Sequence, residues 1–343
     1  MKRILVLLLT MVMVTTCACA QAREFTDSTG RVLTLDDQIT RVAVSGPYAQ
    51  IVLFALAPDL MVGLSSRWDA GAEAIVGGYA DLPVLGQLYG GKGNMNLEQI
   101  ASVAPQIVLD VGETKEDVGE ELDALSEQLG IPFVHVGMTV DTAPQGMRML
   151  GDLLGRQEQA ETLAAYCEKT LEKIDAVMEK VGGDRARFLY CLGDEGLSVV
   201  AKGSYHADMI DKLTDNLAVV DNPSSRGTGN EIDMEQMLLW NPQAIVFGPG
   251  SIGPEAAKDP IWQAVDAIAQ GRYAVAPNLP YNWMGYPPSI QRYMGMQWLT
   301  YLLYPQYCDY DMYEATAEYY RLFYHCELTR ELYDAITAEA FFK

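Results

Sequence analysis

Apolar and polar positions change period several times along the chain, and those changes mark its elements. Phe25 to Leu35 carries the turn sequence Asp27-Ser28-Thr29-Gly30 between two extended pieces, which predicts a small entry hairpin. Short apolar runs at Arg41–Val44, Met61–Leu64, Ile107–Val111 and Phe133–Val136 read as strands, with helical spacing at Tyr48–Leu56 and Lys115–Leu129. Pro144 to Val181 then keeps apolar residues at helical spacing (Met147, Leu150, Leu153, Leu154, Leu163, Tyr166, Leu171, Ile174, Met178). It predicts one long helix, with Gly155 as the place for a jog and Gly182-Gly183 as its end. Strands resume at Phe188–Cys191, Leu197–Val200, Ala244–Phe247 and Arg272–Val275, with a helix over Ala207–Leu213. Helical segments from Ser289 to Phe342 are interrupted at Pro305.

Alternating strand and helix is the pattern of a parallel sheet covered on both faces. The predicted fold class is α/β: two doubly wound lobes with mainly parallel sheets, joined by one long α-helix. The divisions expected are 1–22 as an export segment, 23–143 as the N-terminal lobe, 144–182 as the connecting helix, 183–303 as the C-terminal lobe and 304–343 as a helical tail. A weak internal repeat supports two related lobes. Asn96-Leu97-Glu98-Gln99-Ile100 with Pro105-Gln106-Ile107 is answered by Asp233-Met234-Glu235-Gln236-Met237 with Pro242-Gln243-Ala244. Each copy begins with a capping Asn or Asp, followed by a short helix, a proline break and an apolar strand.

At 343 residues, with 49% hydrophobic and 20% charged positions, the chain can bury two cores. A net charge of -22 repels phosphates and anionic lipid alike, so neither nucleic acid nor a membrane surface is expected as partner. The start is different. Lys2 and Arg3 precede an apolar run from Ile4 to Val14, too short to span a bilayer, and small residues with Cys17 and Cys19 follow. This reads as an export signal, cleaved either before Cys19 or Cys17 with lipid placed on that thiol, or after Ala20. The remaining cysteines, Cys167, Cys191, Cys308 and Cys326, form no CxxC pair and are expected as free thiols. On a continuous helix Cys308 and Cys326 would lie about 27 Å apart, beyond disulfide reach.

No G-x-S-x-G elbow, phosphate-binding loop or H-E-x-x-H helix is present, and the three histidines His135, His206 and His325 lack metal-ligand spacing. A catalyst and a protein-bound metal are therefore not expected. Loops at the carboxyl ends of parallel strands bind ligands in such sheets, and here they are rich in polar and aromatic groups. The candidate ligand residues are Tyr48, Arg67, Trp68, Tyr89, Lys92, Asn94 and Glu113 in the first half, and Tyr205, His206, Arg226, Ser251, Tyr281, Asn282, Trp283 and Tyr286 in the second. Each has a plainer alternative. The Gly90–Asn94 glycines could cradle an oxyanion with Lys92 or form a surface turn. Arg67 and Arg226 could clamp an anion or pair at the surface, and Trp68, Tyr281, Trp283 and Tyr286 could stack on a bulky ligand or pack the hinge. Glu98 and Glu235 fall in first helical turns, where a carboxylate offsets the dipole or faces a partner.

The chain resembles the helical-backbone substrate-binding proteins of ABC importers, which serve iron-siderophore, haem, cobalamin and some oxyanion uptake. The resemblance rests on Arg41 to Asp59, Met95 to Ile100 with Pro105, the long helix, Asp233 to Val246 with Asp259-Pro260-Ile261-Trp262, and Gly271 to Pro277. It implies a ligand cleft between lobes, a stiff helix permitting small hinge motion, and a glutamate pair, carried onto Glu98 and Glu235, that docks on permease arginines. It further implies a monomer whose partners are an ABC permease with its ATPase and a small metal-containing ligand: an iron-siderophore or related chelate, haem or corrinoid included, with a molybdate or tungstate-type oxyanion as the alternative. An exported enzyme on a related fold is the reading from a different class. Gln50 stands where many relatives carry an acid, and the stretch after Tyr304 is longer than in the shortest members.

Overall fold

A computed structural model describes residues 22–88, 95–224 and 227–343. The entry hairpin pairs β1 (Ala22–Thr26) with β2 (Val32–Asp36). Its turn is organised by Asp27, whose Oδ1 accepts from the Thr29 N–H at 2.9 Å and the Arg31 N–H at 3.2 Å. Arg31 in turn pairs with Asp27 and with Asp123 at 2.8 Å, which pins the hairpin to the lobe behind it. Burial alone would raise the Asp27 carboxyl; hydrogen bonds from Thr29, Arg31 and the His135 N–H outweigh it and hold the pKa below its ordinary value.

The N-terminal sheet holds β3 (Val42–Val44), β4 (Ile107–Gly112) and β5 (Phe133–Gly137), all parallel, in the order β3-β4-β5. Residues 61–64, expected as a strand, make only single bridges from Met61 to Val42 and from Leu64 to Val84. The chain there runs pressed against the Pro83–Leu85 backbone, so close that a Cβ at Gly63 would lie 2.9 Å from the Pro83 carbonyl. The second sheet contains β6 (Arg187–Leu192), β7 (Ser198–Val199), β8 (Asp215–Asn216), β9 (Asn230–Glu231), β10 (Ala244–Phe247) and β11 (Tyr273–Val275). Its order is β11-β10-β6-β7-β9 with β8 also on β6; β11, β10, β6 and β8 are parallel, and β7 is antiparallel to β6 and β9.

The expected single helix over 144–182 is two helices. Ala143–Leu154 stops at Gly155, whose φ of +65° is left-handed, and Gln157–Val181 runs for 25 residues, about 37 Å at 1.5 Å per residue. The first folds back on the second. Arg148 bonds Glu161 and Glu168 at 2.7 Å each, whereas in one continuous helix Arg148 and Glu168 would stand about 30 Å apart. Gly151 permits the approach, since a Cβ there would overlap Ala160.

The chain after Tyr304 is more than an appendage. Tyr319, Tyr320, Phe323 and Tyr324, on or just after the helix Met312–Phe323, are buried in the core that also takes in the helix Pro47–Leu56 and the long helix. His325 bonds the Phe54 carbonyl at 3.0 Å, while the Glu339 carbonyl accepts from the Val275 N–H at 2.8 Å, so this segment touches both lobes. The helical pattern between Cys308 and Cys326 is broken before Met312, and Cys167, Cys191, Cys308 and Cys326 are free thiols. Among the described residues no helix is long and apolar enough to cross a membrane.

Candidate functional site

The segment after β3 comes close to segments 205–208 and 281–292: Gln50 bonds Tyr281 at 2.7 Å, and Tyr48 feels Tyr205, Asp208 and Arg292. Tyr48 opens the helix Pro47–Leu56. Its phenol is pushed well above the ordinary tyrosine pKa, first by burial and then by Tyr205, while Arg292 opposes the shift. Tyr205 is raised by burial, opposed by Arg292 and reinforced by Glu113 and Asp208. Residues from the two lobes thus lie within each other's fields. His206 stacks on Tyr286 with ring centres 4.8 Å apart and 22° between planes, and Tyr286 meets Tyr190 edge-on at 5.7 Å. Asn282 donates to the Tyr190 hydroxyl at 3.0 Å. A pocket of about 250 Å³ lies beside Tyr190, Gly193, Gly248, Asn278, Asn282 and Tyr286, and Ser251 at its margin bonds the Gly193 carbonyl at 2.6 Å. Of the expected ligand residues, Asn282 and Tyr286 are placed along this pocket, with His206 stacked on Tyr286 and Ser251 bonded at the margin, while Tyr48, Tyr205 and Glu113 lie close enough for their charges to act on one another.

Trp68, Tyr281 and Trp283 do not line that pocket. Trp68 packs edge-on to Phe54 at 5.1 Å and tilted to Tyr281 at 5.2 Å, and Trp283 packs against Trp298 at 6.3 Å; all three are buried. The Tyr281 hydroxyl accepts from Gln50 Nε2 at 2.7 Å, and Gln50 Oε1 accepts from the Ser65 N–H at 2.7 Å and its hydroxyl at 3.0 Å. Gln50, Trp68 and Tyr281 thus tie the helix Pro47–Leu56 and the loop after it to segment 281–283. Arg67 is exposed and makes no ion pair among the described residues. Tyr89, Lys92, Asn94, Arg226, Cys17 and Cys19 lie outside the described residues.

Sequence reasoning missed Arg292, Asp208, Tyr190, Ser204 and Ser289. Arg292 had a signal: it is the lone charge in the run Ile290–Leu303. Its Nη2 donates to the Tyr205 carbonyl at 2.9 Å and its Nη1 lies 3.6 Å from Asp208. Buried polar atoms are normally paired. Yet Ser204 Oγ, Tyr286 OH, Ser289 Oγ and Arg292 Nε, all in segments 204–206 and 286–292, are buried with no partner among the described residues. The indole N–H groups of Trp68 and Trp283 and the hydroxyls of Thr300 and Tyr319 share that condition, so it is the grouping of four such atoms on two segments that is open to a ligand.

The other histidines are bonded within the fold. His135 Nδ1 lies 2.6 Å from Asp110 and its Nε2 lies 3.0 Å from Thr114, in a buried group that also holds Ser45. The serine hydroxyl donates to the same carboxylate that meets the imidazole, so Asp110 joins β3 to β5 through side chains. Glu98 and Glu235 are exposed in the first turns of Leu97–Ser102 and Met234–Trp240. Asn96 and Asp233 cap those helices, accepting from the Gln99 N–H at 3.0 Å and the Gln236 N–H at 2.7 Å, as the repeat predicts.

Comparison with known proteins agrees with this architecture. No curated protein matches the chain. Among solved structures, an ABC transporter solute binding protein from Sulfurospirillum deleyianum superposes with a TM-score of 0.84 at 23% identity, covering 92% of this chain and 99% of that one. The molybdate periplasmic binding protein MolA of Haemophilus influenzae, bound to molybdate, gives 0.70 at 19% over 90% and 99%. The catecholate-siderophore binding protein VctP of Vibrio cholerae gives 0.58 at 17% over 81% and 99%. These likenesses show a shared fold. The sequence pattern described as periplasmic binding protein matches residues 55–279, well over half of the chain, and the chain belongs to the periplasmic binding protein family.

Proposed function

We propose that this protein is the extracytoplasmic solute-binding component of an ABC importer, which captures an iron-siderophore or related metal chelate between its lobes and delivers it to a membrane permease without transforming it. The observation that carries the reading is the group of buried polar atoms on segments 204–206 and 286–292 that have no partner among the described residues, beside the stacked rings of His206 and Tyr286. Aromatic faces supply apolar area for a bulky organic chelator, and the scattered hydroxyls and guanidinium supply oriented hydrogen bonds. Docking on the permease and its ATPase would use Glu98 and Glu235, one exposed acid per lobe. Both are exposed in the first turns of short helices that precede parallel strands, β4 and β10, which supports equivalent roles in the two lobes. A lipid on Cys19, or on Cys17, would hold the protein at the outer membrane face.

A tetrahedral oxyanion such as molybdate is the second reading, favoured by the fold likeness to the molybdate-bound protein. Native mass spectrometry with elemental analysis of freshly purified protein separates the two. A co-purifying mass with iron supports the chelate, bound molybdenum or tungsten supports the oxyanion, and turnover of an added ester or tetrapyrrole would overturn binding without chemistry.

A further inference from the structure

Asp110 and His135 place a carboxylate and an imidazole in a part of the N-terminal sheet that is otherwise apolar. The registers that pair Val44 with Leu109 and Asp110 with His135 set Ser45, Asp110 and His135 side by side across β3, β4 and β5. Two residues back along each strand, the same face carries Ala43, Val108 and Phe133, all in one hydrophobic cluster. Burying an ion pair in such a row is weak evidence for stability, since apolar residues of similar volume serve as well. Asp110 and His135 are nevertheless 3% and 1% exposed. What they supply is direction to a chain of hydrogen bonds.

An ionised carboxylate only accepts. Asp110 Oδ1 takes the Ser45 hydroxyl and Oδ2 faces His135 Nδ1 at 2.6 Å, so Nδ1 carries the proton. In the neutral imidazole the second nitrogen is then an acceptor, and Thr114, whose Oγ1 stands 3.0 Å from Nε2, is the donor. Gly137 makes room for this contact, because a Cβ there would stand 2.5 Å from Thr114 Oγ1. Ser45, Asp110 and His135 are buried, whereas Thr114 is exposed, so fixed proton positions run from the interior to one surface hydroxyl. With its proton committed inward, that hydroxyl has only lone pairs left to offer. The carboxylate of Glu113, exposed and next to it in the chain, also offers lone pairs alone, and its charge reaches Tyr205 in the candidate site.

We infer that Thr114 is a specificity-determining residue of the candidate site, with Asp110 and His135 as its positioning residues: Thr114 and Glu113 form a wall of acceptors, which takes a ligand edge made of hydrogen-bond donors such as amide N–H or hydroxyl groups. This rests on the candidate site being the ligand site. It deepens that reading by stating what the wall of the N-terminal lobe requires of the ligand.

Two measurements on the full chain test it. Nitrogen-15 NMR of the imidazoles, with His135 assigned by the shift that the surface change Thr114→Val gives its Nε2 signal, should show a neutral ring protonated at Nδ1. Calorimetric titration uses three probes: a neutral ferric trihydroxamate with secondary amide N–H groups, its N-methylated counterpart, and molybdate. Wild type is expected to bind the first about tenfold tighter than the second, the effect of leaving an acceptor unpaired. Thr114→Val should weaken the first probe about fivefold, the worth of one hydrogen bond, and leave the N-methylated probe unchanged, while Thr114→Ser keeps wild-type affinity for both. Asp110→Asn should move the ring proton to Nε2 and abolish the preference between the two trihydroxamates; if that variant melts lower, the Thr114 variants decide. A His135 ring that is cationic or protonated at Nε2 in wild type, equal binding of the two trihydroxamates, an equal loss for both in Thr114→Val, or binding of molybdate alone overturns the inference and leaves the transport reading standing. Failure of wild type to bind any of the three overturns both.

Discussion

Gln50 offers the sharpest quantitative check on how the lobes are joined. It is fully buried on the helix Pro47–Leu56, and its amide serves the Tyr281 hydroxyl, the Ser65 N–H and the Ser65 hydroxyl at 2.7 to 3.0 Å, with the Ser66 N–H at 3.3 Å. Replacing it by leucine keeps the volume and strands at least the Ser65 N–H and the Tyr281 hydroxyl. Each buried polar group left unsatisfied costs about 1 to 3 kcal/mol, so Gln50→Leu should lose about 2 to 6 kcal/mol. With an unfolding entropy of about 2.1 cal/mol/K per residue, that is a fall in melting temperature of roughly 3 to 8 °C for a chain of this size. Gln50→Glu provides the control. A carboxylate still accepts from Ser65 and Ser66, and the Tyr281 hydroxyl can turn to donate to it, so its loss at pH 7 should be less than half that of leucine. Calorimetric melting of both variants decides the matter. A leucine variant within about 1 kcal/mol of wild type, or a glutamate variant worse than leucine, would refute the claim that this amide is the polar joint between Ser65 and Tyr281.

Other expectations follow from the same structure. Gly151→Leu should push apart the helices Ala143–Leu154 and Gln157–Val181, costing about 1 to 3 kcal/mol by overpacking, read as a lower urea midpoint. Asp27 has a folded pKa below its unfolded value of about 3.9, so its stabilisation is present above that value and disappears as pH falls through the folded pKa. Asp27→Asn should accordingly destabilise at pH 7 by chemical denaturation, with the gap to wild type narrowing below about pH 4. Asn96→Ala and Asp233→Ala should each cost about 1 kcal/mol as lost caps while ligand affinity stays unchanged in titration. Glu98→Ala with Glu235→Ala should leave ligand binding intact and abolish uptake in a transport assay; uptake at the wild-type rate would remove both residues from the docking surface.

Much of the architecture is set by neighbours in sequence. The Asp27 turn, the two capped helices of the repeat and the parallel strands β3, β4, β5, β6, β10 and β11 follow from turn chemistry, capping and apolar runs, which act over a few residues. Gly155 was legible as a break, but whether the chain jogs or reverses there depends on Gly151 meeting Ala160 and on Arg148 meeting Glu161 and Glu168. Aromatic residues in the 281–286 loop look alike in sequence. Tertiary packing sets Tyr281 against Trp68 and Trp283 against Trp298, and leaves Tyr286 stacked on His206 beside the pocket. Arg292 is the clearest case, because a charge in an apolar helix stands out locally, while Asp208 and Tyr205 are brought to it only by the fold. Short-range signals therefore decide which elements exist, and the burial of long-range contacts decides which side chains are left free to meet a ligand.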